Sequence, residues 1–580
     1  MTGRVPFAGG IPRNTLRSAL LIAVLCLPVT YLFAASCSVV KHSPPTEADT
    51  ALLAADYAKA ADLYRAELAS HPGDADATIG LVHALLRQQK VQEAEDQVKA
   101  SLAVAPGSAV LLTLRGEVEF RQGVPWIAGQ TAVEAEKLDP CNPRVHLLLA
   151  GLERLRSMYA SSRKQILVAH QLDPADPEIR GAWIGTLPLK QKIAEIEAYL
   201  SAPTGNDEEA TRHWKMYLDS LKKSETEPHK ACHLVSTAAT AEVPFAEIMR
   251  DATHRQAFGL EVKLNGHKSR LQIDTGADGL LVSRSVAEHA GLKPFSPMET
   301  GGIGDKGYRP GYSAYADSIH IGGLEFQDCA VRVLDSRSVV GDSDGLIGMD
   351  VFSQFLVTLD YPMRKLLLGP LPPRPGETPA AAPALKTSDA ERDDSGESAE
   401  AAKAAQQDKP AAASSASATA QNATEKKPDG HGPYDRYIAP EMKSYTPVYR
   451  VGHQLILPAA LNSETLRLFI LDTGSWMTSI SPQAAREVTK VRSDYRTRVI
   501  GISGEVKKVY SADEITFRFA QLSQKVSDVV SFDTTQLSKH AGMEISGLLG
   551  ANTLSQLTIH IDYRDGLVKF DYDPKRGYSF

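Results

Sequence analysis

Two stretches of this chain can be laid over one another, and together they constrain the fold more than any other feature. The first reads Leu271-Gln272-Ile273-Asp274-Thr275-Gly276-Ala277 and the second Phe469-Ile470-Leu471-Asp472-Thr473-Gly474-Ser475. Each follows an apolar run and a turn, Asn265-Gly266 in one copy and Asn462-Ser463 in the other. Each precedes a short helix-like stretch and then a Gly-rich segment, Gly301-Gly302-Ile303-Gly304 or Gly501-Ile502-Ser503-Gly504. Each ends in Gly-apolar-apolar-Gly: Gly345-Leu346-Ile347-Gly348 and Gly547-Leu548-Leu549-Gly550. Runs such as Leu260-Glu261-Val262-Lys263-Leu264 and Ile515-Thr516-Phe517-Arg518-Phe519 have the two-residue period of half-buried strands. A lone Asp-Thr-Gly reads as a turn and arises by chance in roughly one chain in ten of this length. Two copies in matching surroundings instead predict one β-rich lobe built twice.

The order of these elements resembles the retropepsin-like aspartic proteases, bacterial members especially, and more distantly the pepsins. The resemblance covers nearly all of the chain after residue 238 apart from a linker. It implies two mainly-β lobes forming a pseudo-dimer, with Asp274 and Asp472 facing each other as a catalytic pair. Two carboxylates a few ångströms apart resist double ionisation, so one stays protonated and can polarise a carbonyl while the other activates water. Thr275, Gly276, Thr473 and Gly474 would support the loops. The threonines would bond across to the opposite lobe, and the glycines would let backbone amides approach the carboxylates. The Gly-rich segments would be flaps that close over a peptide, with Gly302, Gly304, Gly501 and Gly504 at the substrate. Asp278 matches a retroviral position that contacts substrate backbone, whereas the second copy has Trp476 there. Met349 and Ala551 stand where retroviral enzymes carry an Arg, so that dimer network is not carried over.

The expected function is an aspartic endopeptidase acting on a peptide or protein, with no cofactor and no metal. The alternative is a catalytically silent protease fold serving, with the repeats described below, as a binding module. The lobes are expected to pair within the chain, where the effective concentration is high, rather than between chains.

A second periodicity lies upstream. Pro72, Pro106, Pro140 and Pro174 are evenly spaced at the interval of a tetratricopeptide repeat, and Ala/Leu-rich helical stretches run between them. Each Pro would end one helix, and the Asp, Ser or Asn after it would cap the next. An all-α solenoid is expected over 49–218, with a concave face suited to a protein partner.

The remaining features place these domains. Arg4, Arg13 and Arg17 precede an apolar run from Ala19 to Ala35 and then Cys37. Residues 1–37 therefore read as an export segment: a lipoprotein signal lipidated at Cys37, a cleaved signal peptide, or an uncleaved membrane anchor. A cell-envelope or periplasmic location, or secretion, follows. Cys141, Cys232 and Cys329 lie far apart and suggest isolated buried thiols, with one disulfide as the alternative. Lobe 1 is placed at 238–370 and lobe 2 at 437–580. Between them, 371–436 is rich in Ala, Pro, Ser and charge and reads as a disordered tether, open to processing. A net charge of -7 argues against a nucleic-acid partner.

Overall fold

The structure is a computed structural model that describes residues 37–249, 255–337, 339, 343–375, 435–462 and 465–575. The expected export segment before Cys37 and most of the expected tether lie outside the described residues. Among the described residues, no helix is long and apolar enough to cross a membrane.

Helices between Glu47 and Thr226 form the N-terminal region. Ala75–Arg87, Ala109–Arg121, Pro143–Leu155 and Pro177–Ile184 alternate with Tyr57–Ser70, Val91–Val104, Pro125–Leu138 and Tyr159–Leu172. Pro72, Pro106, Pro140 and Pro174 fall in the turns. Two residues after each, Asp74, Ser108, Asn142 and Asp176 accept backbone N–H groups of the next helix, satisfying donors that a helix start leaves unpaired. Ala60, Ala94 and Ala128 are fully buried where paired helices meet. On the inner side, helices distant in sequence meet through charge. Arg144 pairs with Glu117 at 2.9 Å and Glu178 at 2.8 Å, and Arg87 pairs with Glu178 at 2.5 Å. The solenoid also contacts itself from end to end, since Tyr57 donates to the Gly205 carbonyl at 2.7 Å.

The β region repeats one arrangement twice. In the first copy, strands Arg255–Leu264 and His267–Ile273 form a hairpin. Its two-residue turn, Asn265 at φ 47° and Gly266 at φ 86°, has the positive φ pair that a tight hairpin needs. Strand Gly345–Ile347 then threads between two others, parallel to His267–Ile273 and antiparallel to Leu280–Ser283. In the second copy, Gly547–Leu549 runs parallel to Leu466–Leu471 and antiparallel to Ser479–Ile480. A Cβ at Gly345 would lie 2.2 Å from the Leu281 carbonyl oxygen, and one at Gly547 would lie 2.1 Å from that of Ser479. The first Gly of each Gly-apolar-apolar-Gly is therefore dictated by the threaded strand.

The two copies share a six-stranded antiparallel sheet with three strands from each. Its centre pairs Phe355–Asp360 with Thr558–Asp562, setting Val357 opposite Ile561 and Leu359 opposite Ile559. All four side chains are fully buried in a core that runs continuously through both lobes. The lobes thus pair within one chain.

The solenoid packs on both lobes. Phe120, Trp126 and Leu155 join Met543 and Ile545 in one apolar cluster of lobe 2. The Glu544 N–H donates to the Arg121 carbonyl at 2.9 Å. Helix Glu208–Thr226 lies against strand Pro294–Thr300 of lobe 1. Cys232 and Cys329 are joined by a disulfide that closes a 97-residue span. This corrects the expectation of isolated thiols, because pairing of His233–Leu234 with Leu324–Leu334 brings the two cysteines together.

Candidate active site

Asp274 and Asp472 each follow the last residue of a buried strand, and the threaded strand fixes their backbones. The Asp274 N–H donates to the Ile347 carbonyl at 3.0 Å, and the Asp472 N–H to the Leu549 carbonyl at 3.0 Å. The two carboxyls are within hydrogen-bonding reach of each other. Each also accepts a loop amide: Gly276 N–H to Asp274 at 2.8 Å, and Ser475 N–H to Asp472 at 2.9 Å.

Gly276 and Gly474 decide how near the carboxyls come. A Cβ at Gly474 would sit 2.3 Å from the Asp274 Cγ, and one at Gly276 would sit 3.1 Å from the Asp472 Cγ. Each glycine therefore faces the opposite lobe's carboxyl. Beneath them, the threonines cross over. The Thr275 N–H donates to Thr473 Oγ1 and the Thr473 N–H donates to Thr275 Oγ1, both at 3.0 Å. The Thr275 hydroxyl donates to the Leu471 carbonyl at 2.6 Å, and that of Thr473 to the Ile273 carbonyl at 3.3 Å. Four buried bonds across the pseudo-twofold, at about 1 kcal/mol each, lock the loops together.

Burial raises the affinity of both carboxyls for protons. The adjacent Asp472 charge holds Asp274 well above the ordinary carboxylate range. Burial also raises Asp472, while amides and a hydrogen bond from Asp274 pull it back. The pair therefore favours holding one proton between them, with one carboxyl protonated and the other charged.

Side chains that the sequence reading did not single out complete the frame. Gln272 Nε2 donates to the Gly474 carbonyl at 3.0 Å, and His453 Nε2 lies 2.8 Å from the Gly276 carbonyl. A carbonyl can only accept, so His453 carries its proton on Nε2. Asp350 accepts the Gly279 N–H at 3.0 Å, and Asn552 accepts the Thr478 N–H at 2.7 Å. These two residues occupy the same place in the two copies, two positions after the final Gly. Buried Tyr361 reaches the Thr473 side chain, and burial pushes its phenol up. A repeated apolar-Asp-Tyr, at Leu359-Asp360-Tyr361 and Ile561-Asp562-Tyr563, is the sequence signal that would have found the tyrosines.

The carboxyls open into a cavity of about 800 Å³. The Gly-rich segments roof it and meet each other. The Gly302 N–H donates to Ser503 Oγ at 3.1 Å, and the Ser503 N–H to the Ile303 carbonyl at 3.0 Å. Gly302, Gly304 and Gly501 line the cavity. Their missing side chains also make room for the other flap: a Cβ on Gly304 would lie 2.3 Å from Ser503 carbon, and one on Gly501 would lie 2.5 Å from Ile303 oxygen. Gly504 packs against Lys306. Asp278 lines the cavity, ion-paired with Arg332. Such a chamber, with a polar floor and apolar walls, can hold an extended peptide and exclude water around two proton-sharing carboxyls.

Residues 260–351 match the aspartyl protease family. The matched span contains Asp274, the first flap and the first threaded strand, so an aspartyl protease domain of retropepsin-like kind is present. Residues 51–118 match the tetratricopeptide repeat. Among solved structures, a thermophilic TPR protein of Thermus thermophilus is similar at 20% identity, covering 29% of this chain and 90% of that one, with a TM-score of 0.23. No curated protein matches the chain.

Proposed function

We propose that the chain is an aspartic endopeptidase in which Asp274 and Asp472 activate water between them. The observation that carries this reading is the reciprocal frame: two half-buried carboxyls within reach of one proton, each apposed to the other lobe's glycine. Charged Asp472 takes a proton from water as the water oxygen attacks the peptide carbonyl carbon. Asp274 gives its proton to the carbonyl oxygen, producing a neutral gem-diol. Asp472 then protonates the amide nitrogen, the C–N bond breaks, and a hydroxyl proton returns to Asp274. The flaps exclude bulk water and hold the peptide in place.

Only the singly protonated pair supports this cycle. Because both carboxyls are raised, the window opens at weakly acid pH. Activity falls on the acid side as Asp472 is protonated and on the alkaline side as the shared proton leaves. An exported location suits the Cys232–Cys329 disulfide, which an oxidising compartment would preserve.

Cleavage of an unfolded protein, followed by mass spectrometry from acid to neutral pH, tests the proposal. A bell-shaped profile blocked by a statine-type inhibitor is expected, with Asp274→Asn and Asp472→Asn each lowering kcat/KM by roughly a thousandfold. Cleavage retained by both variants would sink it.

A further inference from the structure

The cleft is built from two related halves, but one pair of facing side chains differs in kind between them. Thr275 and Thr473 are 198 residues apart, and the same offset relates Asp274 to Asp472, Asp278 to Trp476 and Leu281 to Ser479. Strand register extends the correspondence. Leu281 pairs in parallel with Arg332, and Ser479 pairs in parallel with Val530. Arg332 and Val530 therefore hold equivalent places, and all of Asp278, Arg332, Trp476 and Val530 line the same cavity. Lobe 1 sets an ion pair where lobe 2 sets an indole and an isopropyl group.

Within the pair, the carboxylate is the covered partner. The Asp278 side chain is 14% exposed and that of Arg332 is 38% exposed. A peptide entering this end thus meets a guanidinium whose fork can bind a second carboxylate. At the lobe 2 end, Trp476 is 51% exposed and the adjacent Met477 is 37% exposed, both lining the cavity. Exposed aromatic and thioether surface in a cleft favours a large apolar side chain.

We infer that the cleft reads its substrate with polarity, binding a carboxylate at Arg332 and a large apolar side chain at Trp476 and Met477, on opposite sides of the scissile bond. The inference rests on the endopeptidase reading for the words "scissile bond" but not for the binding site itself. The carboxylate has two sources, an Asp or Glu side chain or the free C-terminus of a short peptide.

A peptide set tests it, with Glu, Ala or Lys placed in turn at each position flanking a fixed Leu-Phe, and each peptide made with a free and an amidated C-terminus. The wild-type protein should cleave the best-placed Glu peptide about tenfold faster than its Ala counterpart, the scale of one charge-assisted contact. Arg332→Ala should reduce that preference below about twofold, and Arg332→Lys, which keeps the charge but loses the fork, should keep only part of it. Trp476→Ala should weaken the apolar preference on the opposite side while leaving the Glu preference. Faster cleavage of free than of amidated peptides, lost in Arg332→Ala, assigns the carboxylate to the terminus, and a Glu preference kept by both sets assigns it to the side chain. Absence of both a Glu preference and a free-terminus preference in the wild type, or either preference unchanged in Arg332→Ala, overturns the inference. Fluorescence anisotropy on Asp274→Asn separates the two readings. If labelled Glu peptides bind there with a tenfold loss on adding Arg332→Ala, the site stands even where wild type cleaves nothing, and the hydrolytic reading alone falls. Thermal denaturation confirms that each variant is folded.

Discussion

At Gly276 and Gly474 the absence of a side chain is what lets two carboxyls share one space. Gly474→Ala would drive a methyl group to 2.3 Å from the Asp274 carboxyl carbon. The expected cost is about 1–3 kcal/mol of stability, as for other overpacked sites, together with loss of cleavage; calorimetry and a peptide assay check both. The carboxyls themselves carry a stability cost with a definite sign. The folded state holds Asp274 well above its ordinary value of 3.8. Its protonated form is therefore the favoured one. Any stability this group contributes is full below that ordinary value and is lost as pH rises through the folded-state value. Asp274→Asn removes the ionisation, so its melting temperature should exceed that of the wild type at neutral pH, and the gap should shrink toward pH 4. A variant less stable than wild type at pH 7 would contradict this assignment. Asp562, pushed up to about 6 by burial and by the nearby Asp565 charge, acts in the same direction.

Among the elements, the joint between the lobes is tighter than a tether requires. Arg374, near the end of the first lobe, pairs with the fully buried Asp565 at 2.6 Å. The same Arg374 donates to the Asp435 carbonyl at 3.4 Å, and the Tyr437 N–H donates to Asp565 at 3.0 Å. Residues 374 and 435 thus lie side by side. Replacing residues 376–434 with about ten Gly and Ser residues should leave cleavage intact and stabilise the fold by about 1–2 kcal/mol through a shorter loop, as read from chemical denaturation. Arg374→Ala should do the opposite. It leaves buried Asp565 with Arg564, at 2.9 Å, as its remaining cation and should cost about 1–3 kcal/mol.

Across the whole molecule, the solenoid is bound to the two β lobes unequally. Helix Glu208–Thr226 grips the base of the first flap: Arg212 and His213 both approach Glu299, and His213 meets Tyr308 edge-on at 4.8 Å. The second flap bonds to the first through Ser503 and within itself through Arg498 and Glu505, and its flanking Val499 and Val506 sit in the apolar cluster that Phe120 and Trp126 join. Hydrogen exchange should therefore be slower at 301–308 than at 500–505, and Glu299→Ala should speed exchange at 301–308 selectively. Equal rates in the two flaps would rule out bracing by the helix. Within the repeats, the Arg144, Glu117 and Glu178 network ties helices of successive repeats together. The repeats' contacts with both lobes run through Phe120, Trp126 and the last helix.

Local chemistry made much of this legible in advance. The even spacing of four prolines, with capping side chains two residues later, is written into the chain because a helix start needs both a break and an acceptor close in sequence. The duplicated Asp-Thr-Gly and Gly-apolar-apolar-Gly were legible for the same reason, since each is forced by a close approach that tolerates no side chain. The sequence did not reveal partners set by long-range register. It showed Asp278 but not Arg332, Cys232 and Cys329 but not their bond, and flap glycines but not that they face the opposite flap. Those contacts depend on which strands lie adjacent and with what offset. Shifting a strand's register by a single residue would turn the same side chain to the other face. Composition and motif therefore determined that two carboxylate-bearing lobes and a helical solenoid exist. Tertiary pairing decided that the lobes close on each other, that the solenoid braces one flap, and that the cleft they enclose is charged at one end and apolar at the other.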